Sequence, residues 1–355
     1  MSRFLSAKHA GMKPYVPGEQ PQDMQYIKLN TNESPFPPAP AVAKAAEAEA
    51  VRCNLYSDPV CRIVRERLAE RYEVGLNNVL LTNGSDEALN FIILAYGDER
   101  HPFAFCDVTY GLYPVLCRLY HIPYTELPLR PDYSVDVEAC TWSDDPLILA
   151  NPNAPTSLAL RRDTLEMIIA SRSDRLVVVD EAYIDFGGES CVPLVKKYDN
   201  LLVVQTFSKS RSLAGARLGY IIGCEEMIAE LDAIRCSLNP YNVNRMSLAA
   251  GAAALDEDQW YMENCRVIME NRQWTARQLR DMGFSMPESS ANFLFVSHPA
   301  LSGEALYKAL KARGILVRYF SAPRTASHVR VTVGTMEQMQ AFIDETRKIL
   351  KEVQP

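Results

Sequence analysis

Six short apolar runs punctuate the middle of the chain, at residues 79–82, 103–106, 147–150, 176–180, 201–205 and 220–223. Helix-forming segments fill the gaps, among them 86–96, 110–119 and 163–170. The run Leu176-Val-Val-Val179 shows why these spacings constrain the fold: no polar residue alternates with the apolar ones, so neither face of such a strand suits water. Strands apolar on both faces, alternating with amphipathic helices, predict an α/β fold with a mostly parallel sheet flanked by helices.

The flanks read differently. Residues 1–40 end in Ser34-Pro-Phe-Pro-Pro-Ala-Pro40 and are expected to form an extended arm, because proline removes helix donors and restricts its predecessor. The alanine- and glutamate-rich stretch 41–51 favours a helix. Beyond residue 256 a long helical pattern, 259–282, leads to strand-like runs at 293–296, 315–318 and 329–333, with helices at 303–313 and 335–352. The expected organisation is an arm (1–40), a large α/β domain (41–256) and a smaller α/β domain (257–355).

Composition narrows the function. A net charge of −7 argues against general nucleic-acid binding, which needs a basic face. No apolar stretch approaches a membrane span, and Met1-Ser-Arg-Phe-Leu lacks the core of a signal peptide, so a cytoplasmic protein is expected. The nine cysteines form no C-x-x-C pair and read as reduced thiols, while the five histidines show no H-E-x-x-H spacing, so no metal site is expected.

The chemistry concentrates after three of the strands. Lys209 follows a buried run and lies in the small-residue segment Ser208-Lys-Ser-Arg-Ser-Leu-Ala-Gly215, a poor composition for an exposed helix. Alone it would pass for a solvated surface charge. A lysine there can instead condense with an aldehyde cofactor, with Ser208 and Arg217 holding a phosphate. Asp180 ends the run 176–180, at the carboxyl edge where open α/β sheets bind ligands. A buried carboxylate there needs a positive partner, such as a pyridinium nitrogen, unless it only caps the next segment. Gly84-Ser85-Asp86 joins a strand to a helix, and free N–H groups at a helix start attract an anion, although any capped helix looks alike. Tyr110 could stack on a cofactor ring or be ordinary core. Arg330 alternates with valines in Val329-Arg-Val-Thr-Val333, which by itself suggests a solvent-facing strand residue.

Together these segments resemble the class I/II, fold-type I, pyridoxal phosphate (PLP)-dependent aminotransferases nearly end to end. The anchors are Lys28-Leu-Asn30-Thr-Asn32-Glu33-Ser-Pro35, Asn54-Leu-Tyr56, Thr82-Asn-Gly84-Ser-Asp86-Glu87, Thr109-Tyr110, Asn151-Pro-Asn153-Ala-Pro155-Thr156, Asp180-Glu-Ala-Tyr183, Ser208-Lys209 with Arg217, and Arg330-Val-Thr-Val-Gly334. The first and last of these are most similar to the histidinol-phosphate group.

The resemblance implies roles. Lys209 would bond the cofactor and shuttle a proton, Asp180 would pair with the ring nitrogen, Tyr183 with the ring hydroxyl, and Tyr110 would stack on the ring. Gly84, Ser85, Asp86, Ser208 and Arg217 would surround the phosphate. Tyr56 would reach the phosphate of the partner subunit in a homodimer, where the arm would also pack. Arg330, Arg318, Tyr15 and Asn32 would bind substrate. One position departs from the family pattern Asn-Asn-Pro-Thr-Gly: its second Asn is Ala154 and its Gly is Ser157. Either Asn153 takes over that donor role or Tyr183 acts alone. The implied reaction is transfer of an amino group from L-histidinol phosphate to 2-oxoglutarate. An aromatic amino acid aminotransferase and a decarboxylase of a phosphorylated amino acid are the alternatives on the same fold. A non-catalytic PLP-binding regulator would carry a helix-turn-helix extension, for which these segments leave no room.

Overall fold

The computed structural model describes residues 2–353; Met1, Gln354 and Pro355, at the ends of the expected arm and C-terminal unit, lie outside the described residues. Twelve strands are present among the described residues. They are β1 (Ile27–Lys28), β2 (Val79–Thr82), β3 (Phe103–Cys106), β4 (Tyr124–Leu127), β5 (Leu147–Ala150), β6 (Val177–Asp180), β7 (Leu201–Thr206), β8 (Gly219–Ile222), β9 (Phe293–Ser297), β10 (Ile315–Leu316), β11 (Arg318–Tyr319) and β12 (His328–Thr332).

Seven of them form one sheet in the order β2-β8-β7-β6-β5-β3-β4. Pairing is parallel from β4 through β7, whereas β8 runs antiparallel to both β7 and β2. The sheet is therefore mostly parallel, as expected. Successive residues of one strand serve opposite faces: Val177 and Val179 join the core that holds Leu147 and Leu201, while Val178 joins Phe103, Ile148 and Leu202 in the other. Both faces are covered, which is why these strands carry no polar alternation.

β4 is an edge strand missed in the sequence. Its residues, Tyr-Thr-Glu-Leu, are half-buried or exposed, so the run lacks the apolar signature of its neighbours. The expected strand 315–318 is in fact two. β10 pairs in parallel with β1 of the arm, and β11 pairs antiparallel with β12, so the chain changes sheets at Val317. β11, β12 and β9 make a second, three-stranded sheet.

The helix Asp258–Asp281 links the two sheets, burying Tyr261, Cys265, Ile268, Arg272, Thr275 and Leu279 at alternating spacings of four and three, one stripe of its surface. Between residues 2 and 39 the arm holds the short 3-10 helix Ala7–His9 and β1 but no α-helix. It is pinned to the second unit by Glu19, which accepts from Tyr307 Oη at 2.5 Å and pairs with Lys311.

Candidate active site

The ends of β5, β6 and β7 lie side by side, with Ala150 opposite Asp180 and Asp180 opposite Val204. The loops that follow them open on one side, at the carboxyl edge of the sheet. A cavity of about 690 Å³ lies there, within the span of roughly 300–1,000 Å³ typical of small-molecule sites. Asp180, Tyr183, Ser208, Lys209 and Arg217 line it, joined by Ser85, Asp86 and Tyr110 from the first half of the sheet. Asn32, Tyr15, Arg318 and Arg330 line it from the arm and the second unit. Residues as far apart in the chain as Tyr15 and Arg330 thus meet at one place.

Asp180 is buried. Its Oδ2 accepts from Tyr113 Oη at 2.7 Å and its Oδ1 from the Ala182 N–H at 3.2 Å. Burial pushes its carboxyl up to about 6, against these two hydrogen bonds. Lys209 Nζ donates to the Thr31 carbonyl at 3.3 Å and lies 5.7 Å from the centre of the Tyr183 ring. The lysine loop is fixed from behind by Ser210, which donates to Asp185, and by the ion pair of buried Arg211 with Asp258 at 2.6 Å.

The turn Asn83–Ser85 and the arginine after β7 build a cradle. Gly84, at φ +85°, precedes the helix Ser85–Tyr96, whose first N–H groups have no intrahelical partner. A side chain on Gly219 would lie 2.6 Å from Gly84 C and Ser85 N, so only glycine lets β8 approach this turn. Arg217 Nη2 donates to Asp86 Oδ2 at 2.9 Å, and Tyr110 Oη donates to Asp86 Oδ1 at 2.9 Å. A carboxylate repels a phosphate, so Asp86 serves the cradle by orienting Arg217 and Tyr110, and offers an anion only its backbone N–H. Ser208 Oγ accepts from Thr206 Oγ1 at 3.0 Å, which orients the hydroxyl.

On the opposite wall, Arg330 is part-buried between the rings of Phe293 and Phe320, 5.3 and 5.6 Å from their centres. Its Nη2 donates to the Asn30 carbonyl at 3.0 Å, while its buried Nε has no partner among the described residues. Arg318 is differently engaged. It donates to the Pro17 carbonyl at 3.0 Å and the Val16 carbonyl at 2.8 Å, holding the arm over the cavity mouth beside Tyr15. Tyr15 meets Tyr110 edge to face at 5.8 Å. Asn32, left-handed at φ +55°, donates from Nδ2 to Tyr183 Oη at 2.9 Å.

Three expected cofactor contacts are not on the cavity wall. Asn153 is buried in its own loop, donating to the Val108 carbonyl and Thr156 Oγ1 at 2.9 Å and accepting from Thr109 at 2.7 Å. Pro152, Ala154 and Pro155 line the cavity instead, because the chain turns at 154–156 and leaves the Asn153 amide bonded within its own loop. Gly84 acts through the turn it permits. Tyr56 is 78% exposed and stacks on Tyr241 with ring centres 4.3 Å apart, away from this chain's own cavity. Sequence reasoning missed Tyr113 and Thr206; the one available signal for Tyr113 was its place three residues after Tyr110, one helical turn on.

Residues 24–345 match the family described as aminotransferase class I and II. The chain belongs to that family. Among curated relatives, the histidinol-phosphate aminotransferase of Brachyspira hyodysenteriae is 44% identical over 99% of this chain and 100% of its own length. That of Syntrophus aciditrophicus is 43% identical over 98% of each chain. Among solved structures, the histidinol-phosphate aminotransferase of Sinorhizobium meliloti in complex with pyridoxal-5'-phosphate superposes with a TM-score of 0.85, at 24% identity, covering 93% of this chain and 92% of that one.

Class I and II aminotransferases depend on PLP, and the residues of this member fit it. The cofactor needs a reachable amine, a buried anion for its ring nitrogen and a cradle for its phosphate. Lys209 lines the cavity. Asp180 is a carboxylate held up at about 6 by its burial, and a ring N–H would supply it a positive partner. Gly84, Ser85 and Arg217 form the cradle, and a Cβ on Gly84 would stand 2.6 Å from Arg217 Nη2.

Proposed function

We propose that this aminotransferase moves the amino group of L-histidinol phosphate to 2-oxoglutarate, as a step of histidine biosynthesis in the cytoplasm. The full-length likeness to enzymes of that name supports the reading, and one observation carries it: a guanidinium, Arg330, stands in the cavity with a buried Nε and no carboxylate partner among the described residues. Such a group calls for an anion. The donor offers a phosphate ester and the acceptor offers carboxylates, and a guanidinium binds either through its planar fork. No helix among the described residues is long and apolar enough to cross a membrane.

Bound PLP supplies the electron sink that makes the donor's Cα–H acidic. The chain's own groups do the rest. Lys209 Nζ is the base that takes the Cα proton and returns it one atom further on. Asp180 holds a positive charge at the ring nitrogen. Tyr183 Oη, oriented by Asn32, serves the ring oxygen without help from position 154. The Ser85 and Asp86 N–H groups, Ser208 and Arg217 bind the phosphate. Tyr15 and the arm, held by Arg318, exclude water from the mouth.

A second copy of the chain is the proposed partner. Tyr56 and Tyr241 are exposed, with Val51, Leu55 and Val60 exposed nearby in sequence, an apolar surface suited to a homodimer. Half-reaction kinetics with histidinol phosphate, phenylalanine and glutamate test the substrate. Histidinol phosphate should be the best donor by kcat/KM. A wide margin for phenylalanine would make this an aromatic amino acid aminotransferase, and release of carbon dioxide from a phosphorylated amino acid would make it a decarboxylase.

A further inference from the structure

Tyr113 lies behind the cavity and touches neither its wall nor solvent. It is fully buried in the helix Leu112–Tyr120, wedged between Phe105 at 5.7 Å and 58° and Tyr110 at 5.7 Å and 89°. Among the described residues its hydroxyl has one hydrogen-bond partner, Asp180 Oδ2, at 2.7 Å. An ionised carboxylate only accepts, so the phenol must donate.

We propose that Tyr113 is a positioning residue that keeps Asp180 ionised and thereby keeps the proton on the cofactor's ring nitrogen. The proposal rests on the reading above that the ring nitrogen pairs with Asp180. A buried carboxylate beside a pyridine nitrogen has two ways to share one proton: as carboxylate and pyridinium, or as neutral acid and neutral pyridine. A low dielectric favours the neutral pair, because it penalises both charges. A hydrogen bond donated to the carboxyl oxygen stabilises the ionic pair more than the neutral one, because a full negative charge accepts it more strongly. Asp180 receives two such bonds, and the one from Tyr113 is the shorter and comes from a side chain with no alternative partner. The other groups facing Asp180 oppose each other. Asp86 disfavours its charge and Lys209 favours it. Around Tyr113 itself stand Tyr110 and Cys106, both neutral at pH 7: burial and Asp86 push the tyrosine up, and the hydrogen bond with Cys140 together with burial pushes the thiol up. The hydroxyl of Tyr113 is thus the group on this side that decides where the shared proton rests.

Tyr113→Phe removes one oxygen atom and keeps the ring packing. The test is 15N NMR of the holoenzyme loaded with ring-15N pyridoxal phosphate, in the wild type, Tyr113→Phe and Asp180→Asn, alongside kcat and KM. The proposal expects the Tyr113→Phe signal to move toward unprotonated pyridine. It expects kcat to fall roughly ten- to a hundredfold with KM little changed, the loss suited to a hydrogen bond to a charged group. A merely structural role would lower cofactor content and leave the signal of the loaded fraction where it was. An unchanged signal in Tyr113→Phe, with Asp180→Asn shifted, overturns the proposal and leaves the site reading intact. An unchanged signal in Asp180→Asn overturns both. Should Tyr113→Phe load poorly, the cofactor-free protein gives a second measurement. The acid-side rise of its thermal stability that Asp180 contributes should extend to higher pH in the variant, and a superimposable profile overturns the proposal.

Discussion

Among the described residues Asp180 of the cofactor-free protein has two hydrogen bonds and no close ion pair, and its titration should show in stability. Burial pushes its carboxyl up to about 6, above the roughly 3.9 of an unfolded aspartate. The folded protein therefore holds this proton to higher pH than the unfolded chain does. The resulting stability is full below about pH 4 and is lost as pH rises through about 6, in all roughly 3 kcal/mol. Glu181, pushed up to about 7 by burial, adds a loss of the same sign. Urea titrations of the cofactor-free protein at pH 4 and pH 7.5 should accordingly show a smaller fall for Asp180→Asn than for the wild type. An equal fall would assign the slope to Glu181. In the loaded enzyme the same substitution should cost about a hundredfold or more in kcat, since the charge that holds the ring protonated is gone. Across the cavity, Arg330→Ala should raise KM in both half-reactions by roughly ten- to a hundredfold, the cost of a lost charge-assisted hydrogen bond. Arg318→Ala should raise KM more for histidinol phosphate than for glutamate, because a phosphate dianion gains more from a second cation. Equal effects of Arg318→Ala on the two donors would reduce Arg318 to its visible task of holding the Val16 and Pro17 carbonyls.

Between elements, the critical contact is the crossing of β8 against the turn that starts the helix Ser85–Tyr96. Gly219→Ala would set a methyl 2.6 Å from Gly84 C and Ser85 N, both backbone atoms that cannot swing aside. Overpacking of this kind costs about 1–3 kcal/mol, and here it displaces the N–H groups proposed for the phosphate. Cofactor affinity should fall by at least about tenfold in an absorbance titration, while Gly215→Ala, which meets nothing within 4 Å, should bind as the wild type does. The sequence made this region readable because the strands of the large sheet other than β4 are buried on both faces, and Ser85, Asp180 and Lys209 stand at or just beyond the end of one. What it could not reveal depended on weaker signals. β4 is an amphipathic edge. The break at Val317 separates two-residue strands whose partners, β1 and β12, belong to different sheets, and β1 lies at the far end of the chain. Asn153 and Ala154 differ by one residue in register, and only the bend of the loop decides which side chain meets the cavity. Tyr113 reads as core in any amphipathic helix, and its role exists only because β6 ends where it does.

At the scale of the whole molecule, the site of one chain is proposed to be incomplete. The phosphate cradle holds one arginine, already half-neutralised by Asp86, and no tyrosine other than Tyr110 among its residues. Tyr56, meanwhile, stacked on Tyr241, is mostly exposed and stands outside the lining of this chain's own cavity. A two-fold dimer would place Tyr56 of each copy against the other, since an isologous interface returns every contact in duplicate. Mixing chains tests this directly. A Lys209→Ala dimer lacks the base in both sites, and a Tyr56→Phe dimer has both cradles weakened, so each alone should be poor when cofactor is scarce. After unfolding and refolding together, the hybrid dimer carries one site with both defects and one with neither. Random pairing of equal amounts would make about a quarter of all sites intact, so activity at limiting cofactor should recover to about a quarter of wild type. If Tyr56 acts only within its own chain, the Tyr56→Phe subunit keeps its weakened cradle in every pairing. Mixing then adds nothing beyond the average of the two parents, and the shared site is excluded.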